Sequence, residues 1–219
     1  MKRNIVLINL LIVSLLFAGN AFGQRKQKGF KFDDVVINIE SSGTKSIAFA
    51  THDQRETITT EHRAPDFGGY LRNMWGMGYP TGTTTKNPLA DDMTTAISSS
   101  LSGKGFSVKG VNVPFTDSHE EVLGKLKDTG SELLIIFTLI EWHGDGYAKN
   151  TDVNYDVSFK VFDNAGQLLV EKTDGKEGLI IGPDKPKNVW DQLKAELPKF
   201  FKEQMEGFFN DPDVKQYLE

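Results

Sequence analysis

The strongest constraint in this sequence is the stretch Ser131 to Tyr147, SELLIIFTLIEWHGDGY, whose apolar run Leu133 to Ile140 is interrupted only by Thr138. A strand buried on both faces reads as a continuous apolar run rather than an alternating one. Gly130 before the run, and Gly144 and Gly146 after it, bound it at strand length. The segment is therefore predicted to be the central strand of one sheet.

The rest of the chain supplies partners for it. Residues 34–40 (Val35, Val36, Ile37 and Ile39) and 46–51 (SIAFAT) read as two strands of a hairpin around Ser41 to Thr44. Residues 52–86 show no clear period, are rich in Gly, and carry Phe67, Tyr70, Trp75 and Tyr79, so they read as an ordered or conditionally ordered loop rather than as plain disorder. Leu89, Met93, Ile97 and Leu101 recur every fourth residue and predict a helix, with Asn87 as its cap and Pro88 at its first turn. Residues 107–113 read as a strand, and Ser118 with Glu121 forms a capping box for a second helix ending at Gly130. Val153, Tyr155, Val157, Phe159 and Val161 alternate with polar residues, Asp163 to Gly166 turns the chain, and 167–173 returns, with a short further strand at 179–181. A Phe-rich helical region spans about 186–209, interrupted at Pro198 by a kink or a break. The expected fold is α+β: a two-layer sandwich, with a mostly antiparallel sheet covered by helices on one face, in the order β-β-α-β-α-β-β-β-α.

Lys2 and Arg3, then the apolar segment Ile5 to Phe17, then Ala21-Phe22-Gly23, have the form of a secretory signal peptide covering residues 1–23. Its removal from the 219 residues leaves 196, expected to form one domain over 24–219, and moves the formal charge from -5 to -7. An acidic chain without a basic block argues against nucleic acid and against electrostatic attachment to a membrane surface. There is no cysteine, so neither a disulfide nor a lipid-bearing cysteine is available, and no second apolar segment reaches membrane-spanning length. The expected location is periplasmic or otherwise exported.

Two polar groups end adjacent strands: His52, Asp53, Gln54 and Arg55, and Glu141, Trp142, His143 and Asp145. If those strands run parallel as neighbours, both groups share one end of the sheet beneath the Gly-aromatic loop, where ligands often bind. They form either a small binding cleft or a solvated rim in which Asp53 pairs with Arg55. Tyr70, Arg72, Trp75, Met77 and Tyr79 are residue types enriched at interface hot spots, or else a loop folded back over the sheet. His52, Asp53, His143 and Asp145, with His62 nearby in sequence, offer an alternative as a metal-assisted hydrolase, though no HExxH spacing supports it. Neither a nucleophile elbow nor a phosphate loop is present, and no cofactor is expected. A small-ligand carrier is a third reading, whose sign would be a closed apolar pocket.

The stretches SIAFATHDQR, LADDMTTAISSSLSGKGFSV, ELLIIFTLIEW and VNYDVSFKVFDNAGQLLVEK, between about residues 46 and 175, resemble small bacterial envelope proteins of the penicillin-binding-protein-activator and YajG-like lipoprotein type. The lipid-anchoring cysteine of those proteins is missing here, and the 52–86 stretch is long. The resemblance implies a non-catalytic accessory role whose partner is another envelope protein, acting through residues 64–80 and the adjoining sheet edge.

Overall fold

The structure, a computed structural model, describes residues 29–148, 150–183 and 187–219. The expected signal peptide, and residues 24–28 after it, lie outside this range. In chain order the elements are β1 (Ser46–Asp53), α1 (Glu56–Thr59), β2 (Phe67–Arg72), β3 (Gly78–Gly82), α2 (Leu89–Ser102), β4 (Ser107–Gly110), α3 (His119–Lys127), β5 (Leu133–Tyr147), β6 (Asn150–Asp163), β7 (Leu168–Ile180), α4 (Val189–Phe209) and α5 (Pro212–Leu218). The fold is α+β, with the sheet curled into a half-barrel.

The run at 133–147 is the central strand. One edge of β5 pairs along its whole length with β6, antiparallel. The other edge is shared: its first half pairs with β1, Ile47 to Asp53 opposite Leu133 to Leu139, and its second half with β2, Gly69 to Leu71 opposite Gly144 to Gly146, both parallel. β4 lies outside β1 in parallel, β3 outside β2 and β7 outside β6 in antiparallel. Three of the six pairings are thus parallel, so the sheet is mixed rather than mostly antiparallel.

Helices cover both faces, not one. The chain leaves β1, passes through α2 to β4 on one side, then returns through α3 to β5 on the other side of β1. Right-handed crossovers in opposite directions place their helices on opposite faces. Ile47, Phe49, Leu133, Ile135, Phe137 and Leu139 accordingly pack with the α2 stripe and with α4 and α5. Ala48, Ala50, Leu134 and Ile136 pack with Val122 and Leu126 of α3 on the reverse face. This double cover is why the central strand needs apolar residues at consecutive positions.

Five local expectations change. Residues 34–40 form no strand: Ile37 and Ile39 are buried, but their segment is tied by helix side chains, Ile37 N donating to Ser100 Oγ (3.0 Å) and Asn38 N to Glu206 Oε1 (2.9 Å). With its donors taken by α2 and α4, no hairpin with β1 forms. Asn87 does not cap α2; its side chain donates to Asp92 Oδ1 (3.3 Å), while the amide of Leu89 donates to the carbonyl of Pro65 (2.9 Å). The capping box at Ser118 and Glu121 is formed. α4 runs unbroken through Pro198, capped by Asn188, and buries Leu193, Leu197, Phe201, Met205 and Phe209. β7 is one strand of 13 residues, not two short ones. Finally, residues 52–86 hold α1 and the β2–β3 hairpin, which extends the sheet instead of folding over it.

The β2–β5 junction depends on a missing side chain. A Cβ on Gly69 would stand 2.2 Å from the carbonyl oxygen of Gly144, a backbone contact that no side-chain adjustment relieves. We expect Gly69→Ala to lower stability by roughly 2 kcal/mol or more. Gly124→Ala, in α3 with nothing within 4 Å of the new methyl, should raise it by roughly 0.5–1 kcal/mol. Chemical denaturation of the two variants checks the pair, and equal effects would contradict the described register.

Candidate functional site

Where β1 ends and β2 begins along the edge of β5, Arg55 fills the junction. Its side chain is 1% exposed and its charge is met in full. Nε and Nη2 donate to Asp53 Oδ1 (2.8 Å) and Oδ2 (2.7 Å), and Nη1 donates to the carbonyls of Phe67 (2.7 Å) and Trp142 (3.0 Å). A guanidinium fork suits two carboxylate oxygens and still has donors left for backbone. Asp53 and Arg55 therefore form an internal clamp between β1, β2 and β5, where the sequence suggested either cleft residues or a solvated pair. The sequence gives the pairing but not the burial, because burial comes from the hairpin that closes over it.

His52 is buried on the opposite face. Its Nε2 lies 3.0 Å from the carbonyl oxygen of Asp117 and 2.9 Å from the side-chain nitrogen of Gln54, and burial holds its pKa below the ordinary value. It belongs to the β1–α3 packing. Trp142 turns into the α4 core, where its ring meets Phe200, Phe201 and Tyr155.

Tyr70, Arg72, His143 and Asp145 do come together. The register sets Tyr70 beside Asp145, and the ring of Tyr70 meets that of His143 edge-on at 6.2 Å. Arg72 Nη2 pairs with Asp145 Oδ2 at 2.6 Å, and the guanidinium lies 5.4 Å from the centre of the Tyr70 ring. Arg63 approaches the same ring at 5.7 Å. His143 Nε2 stands 3.0 Å from Asn154 Nδ2, and its Nδ1 is 3.7 Å from Glu141 Oε1. Desolvation holds the pKa of His143 down despite Glu141 and Asp145, and raises that of Asp152 beside Asp145. Beyond the reach of α3, this half of the sheet face carries an aromatic ring between two guanidinium groups and a row of paired charges. An open cleft of 480 Å³ adjoins it, lined mainly by Gln54, Glu56, Glu61, Glu141, His143 and Asp156.

The tip of the hairpin is the other exposed feature. Met74 and Trp75 are 81% and 79% exposed, with Met77 and Tyr79 also in solvent; Tyr79 leans on Trp190 at 6.3 Å. Sequence reasoning named Trp75, Met77 and Tyr79 but not Met74, nor Asn73, which shapes the turn. Asn73 was legible in principle as a turn former before Gly76. Asn154 was not, because only the β5–β6 register sets it opposite His143.

The proposed metal set does not converge. Asp53 is held by Arg55, Asp145 by Arg72, and His52 and His143 have separate neighbours, while His62 sits in an exposed turn with φ of 57°. Among the described residues no group of three or more His, Asp or Glu is placed to hold an ion. No described helix is long and apolar enough to cross a membrane.

Removing the Arg55 cation strands a buried carboxylate, so Arg55→Met should cost about 3–5 kcal/mol, and Asp53→Leu in the same chain should recover part of it. Urea unfolding of the single and double variants measures this; an exposed pair would show under about 1 kcal/mol. The histidines set a second expectation. The unfolded chain binds protons near about pH 6.5, whereas buried His52 and His143 refuse them until lower pH. Stability should therefore fall as pH drops below about 6.5, with a shallower slope in His143→Gln. A wild-type urea midpoint that stays level or rises over that window contradicts the burial described.

No protein-family model matches the sequence, and no curated protein does. Similar solved structures include a Xanthomonas campestris protein of family DUF330 (TM-score 0.48, 10% identity, covering 84% of this chain and 94% of that one). They also include a putative neuraminyllactose-binding hemagglutinin homolog from Helicobacter pylori (0.41, 9%, 87% and 96%). A third is the LpoB C-terminal domain from Salmonella enterica (0.32, 5%, 63% and 86%). Likenesses at these TM-scores carry no argument about what this chain does.

Proposed function

We propose that this chain is an exported, non-catalytic accessory or binding protein of a bacterial envelope, and that it works through the β2–β3 hairpin and the adjoining sheet edge. The observation that carries the reading is the exposed cluster Met74, Trp75, Met77 and Tyr79 on a turn of fixed shape. Leaving such side chains in water forfeits about 1.5–3 kcal/mol each, and contiguous apolar patches on soluble domains mark interaction sites. Behind the tip, Tyr70, Arg72, His143 and Asp145 supply aromatic surface and oriented charge, the composition of an interface rim and anchor. Export is read from the pattern of residues 1–23. The partner on the sheet edge is another envelope protein.

Because residues 67–72 are a sheet strand, the test keeps the hairpin backbone and changes side chains on its surface alone. A photo-crosslinking residue at position 79, in cells that export the chain, should yield one dominant protein adduct. Arg72→Ala together with Tyr70→Ala should weaken that association at least about tenfold. An adduct pattern no different from that of a crosslinker at an exposed control site, such as position 125, would refute the reading.

A further inference from the structure

We infer that the outermost part of the hairpin, Met74 to Met77, seats in the interfacial layer of a lipid bilayer rather than in a pocket of a protein. The inference rests on the reading above that the hairpin is the working surface, and it names what the tip itself meets.

Two independent observations carry it. The first is the layering of side-chain chemistry along the sheet axis. Strand register places Met74, Trp75 and Met77 outermost, then Tyr147 level with Arg72, then Tyr79 one residue further back, then Tyr70 beside Asp145. Tyr147 stands next to the turn, since a Cβ on Gly76 would lie 3.9 Å from its ring. On the β2–β3 hairpin apolar groups lead, and Arg72 and Asp145, the charges level with and behind the first ring, are paired with each other. A bilayer presents the same order from hydrocarbon through interface to water, with Tyr and Trp favoured at the boundary. A bilayer imposes that order at one depth on every element that reaches it, here the ends of two hairpins.

The second observation is the state of the backbone at the tip. A segment entering an apolar medium must satisfy its own N–H and C=O groups. Here Asn73 Oδ1 accepts from the amides of Trp75 (2.9 Å) and Met77 (3.1 Å). The amide of Gly76 donates to the carbonyl of Asn73 (2.9 Å), and that of Asn73 to the carbonyl of Met77 (3.1 Å). Arg72 Nη1 donates to the carbonyl of Gly76 (3.3 Å), with Gly76 at φ of 78°, a conformation that favours glycine. These groups therefore enter the interface already paired, so their desolvation costs little. The attachment is apolar, so it agrees with an acidic chain that lacks a basic patch.

The test is co-sedimentation of the chain, purified from cells that export it, with vesicles of phosphatidylcholine and phosphatidylglycerol. Binding should persist from about 0.1 M to about 1 M salt, because screening does not weaken apolar insertion. The M74S/W75S/M77S variant should bind at least about tenfold more weakly with an unchanged melting curve, since those side chains are exposed. Both chains share one N-terminus, so the difference isolates the tip. Vesicles of brominated lipid should quench wild-type tryptophan fluorescence more than that of Trp75→Phe. Equal binding by variant and wild type, or absent quenching, overturns the inference. If vesicles are not bound while a crosslinker at position 75 captures a protein, the tip is a protein dock: this inference fails and the proposed function stands. If vesicles are bound but position 79 captures no protein, the inference stands and the protein-partner reading fails.

Discussion

A fully buried cation sits at the one place in this sheet where a strand edge changes hands. β1 ends opposite Leu139 and β2 begins pairing opposite Gly144, so β5 carries two successive partners on the same edge with a gap between them. Arg55 bridges that gap, anchored to Asp53 on one side and reaching the carbonyls of Phe67 and Trp142 on the other. Burying an ion pair gains little net stability over an apolar replacement, but mispairing it is severe. The clamp thus specifies where the hairpin attaches, and so where everything on the hairpin points.

The opposite face of the same region is shaped by the absence of side chains. Gly144 and Gly146 present bare backbone to α4, letting Leu193 and Leu197 settle directly on the sheet: a Cβ on Gly144 would come within 2.8 Å of the Leu193 side chain. Their neighbours His143 and Asp145 point the other way, onto the half of the reverse face that α3 does not reach. One strand therefore serves as a packed floor for α4 and as a polar surface on its reverse, because side chains alternate between faces. The hairpin extends that polar surface and ends in the apolar tip.

Much of this was legible from local pattern. The α2 stripe, the Ser118 capping box, the alternating β6 strand and the doubly buried β5 run each follow from the period of their apolar residues, and each formed as read. Residues 34–40 show the limit: their Val and Ile content suits a strand, yet side chains from α2 and α4, more than sixty residues away, take their backbone donors. The hairpin at 67–82 was hidden for another reason. Its Gly and Pro content lowers strand propensity, and one of those glycines, Gly69, is required by close backbone approach to β5, a contact invisible in sequence.

By itself the sequence determined the central strand, the apolar stripes of the three longer helices and the acidic and cysteine-free character of the chain, because these depend on composition and on periods of two and 3.6 residues. Tertiary structure alone decided that the sheet is mixed, that helices cover both faces, that Asp53 and Arg55 lie inside and that Tyr70, Arg72, His143 and Asp145 meet. Each of those depends on which strands become neighbours and in what register. Register is a property of pairs of distant segments, so no local pattern in either segment encodes it.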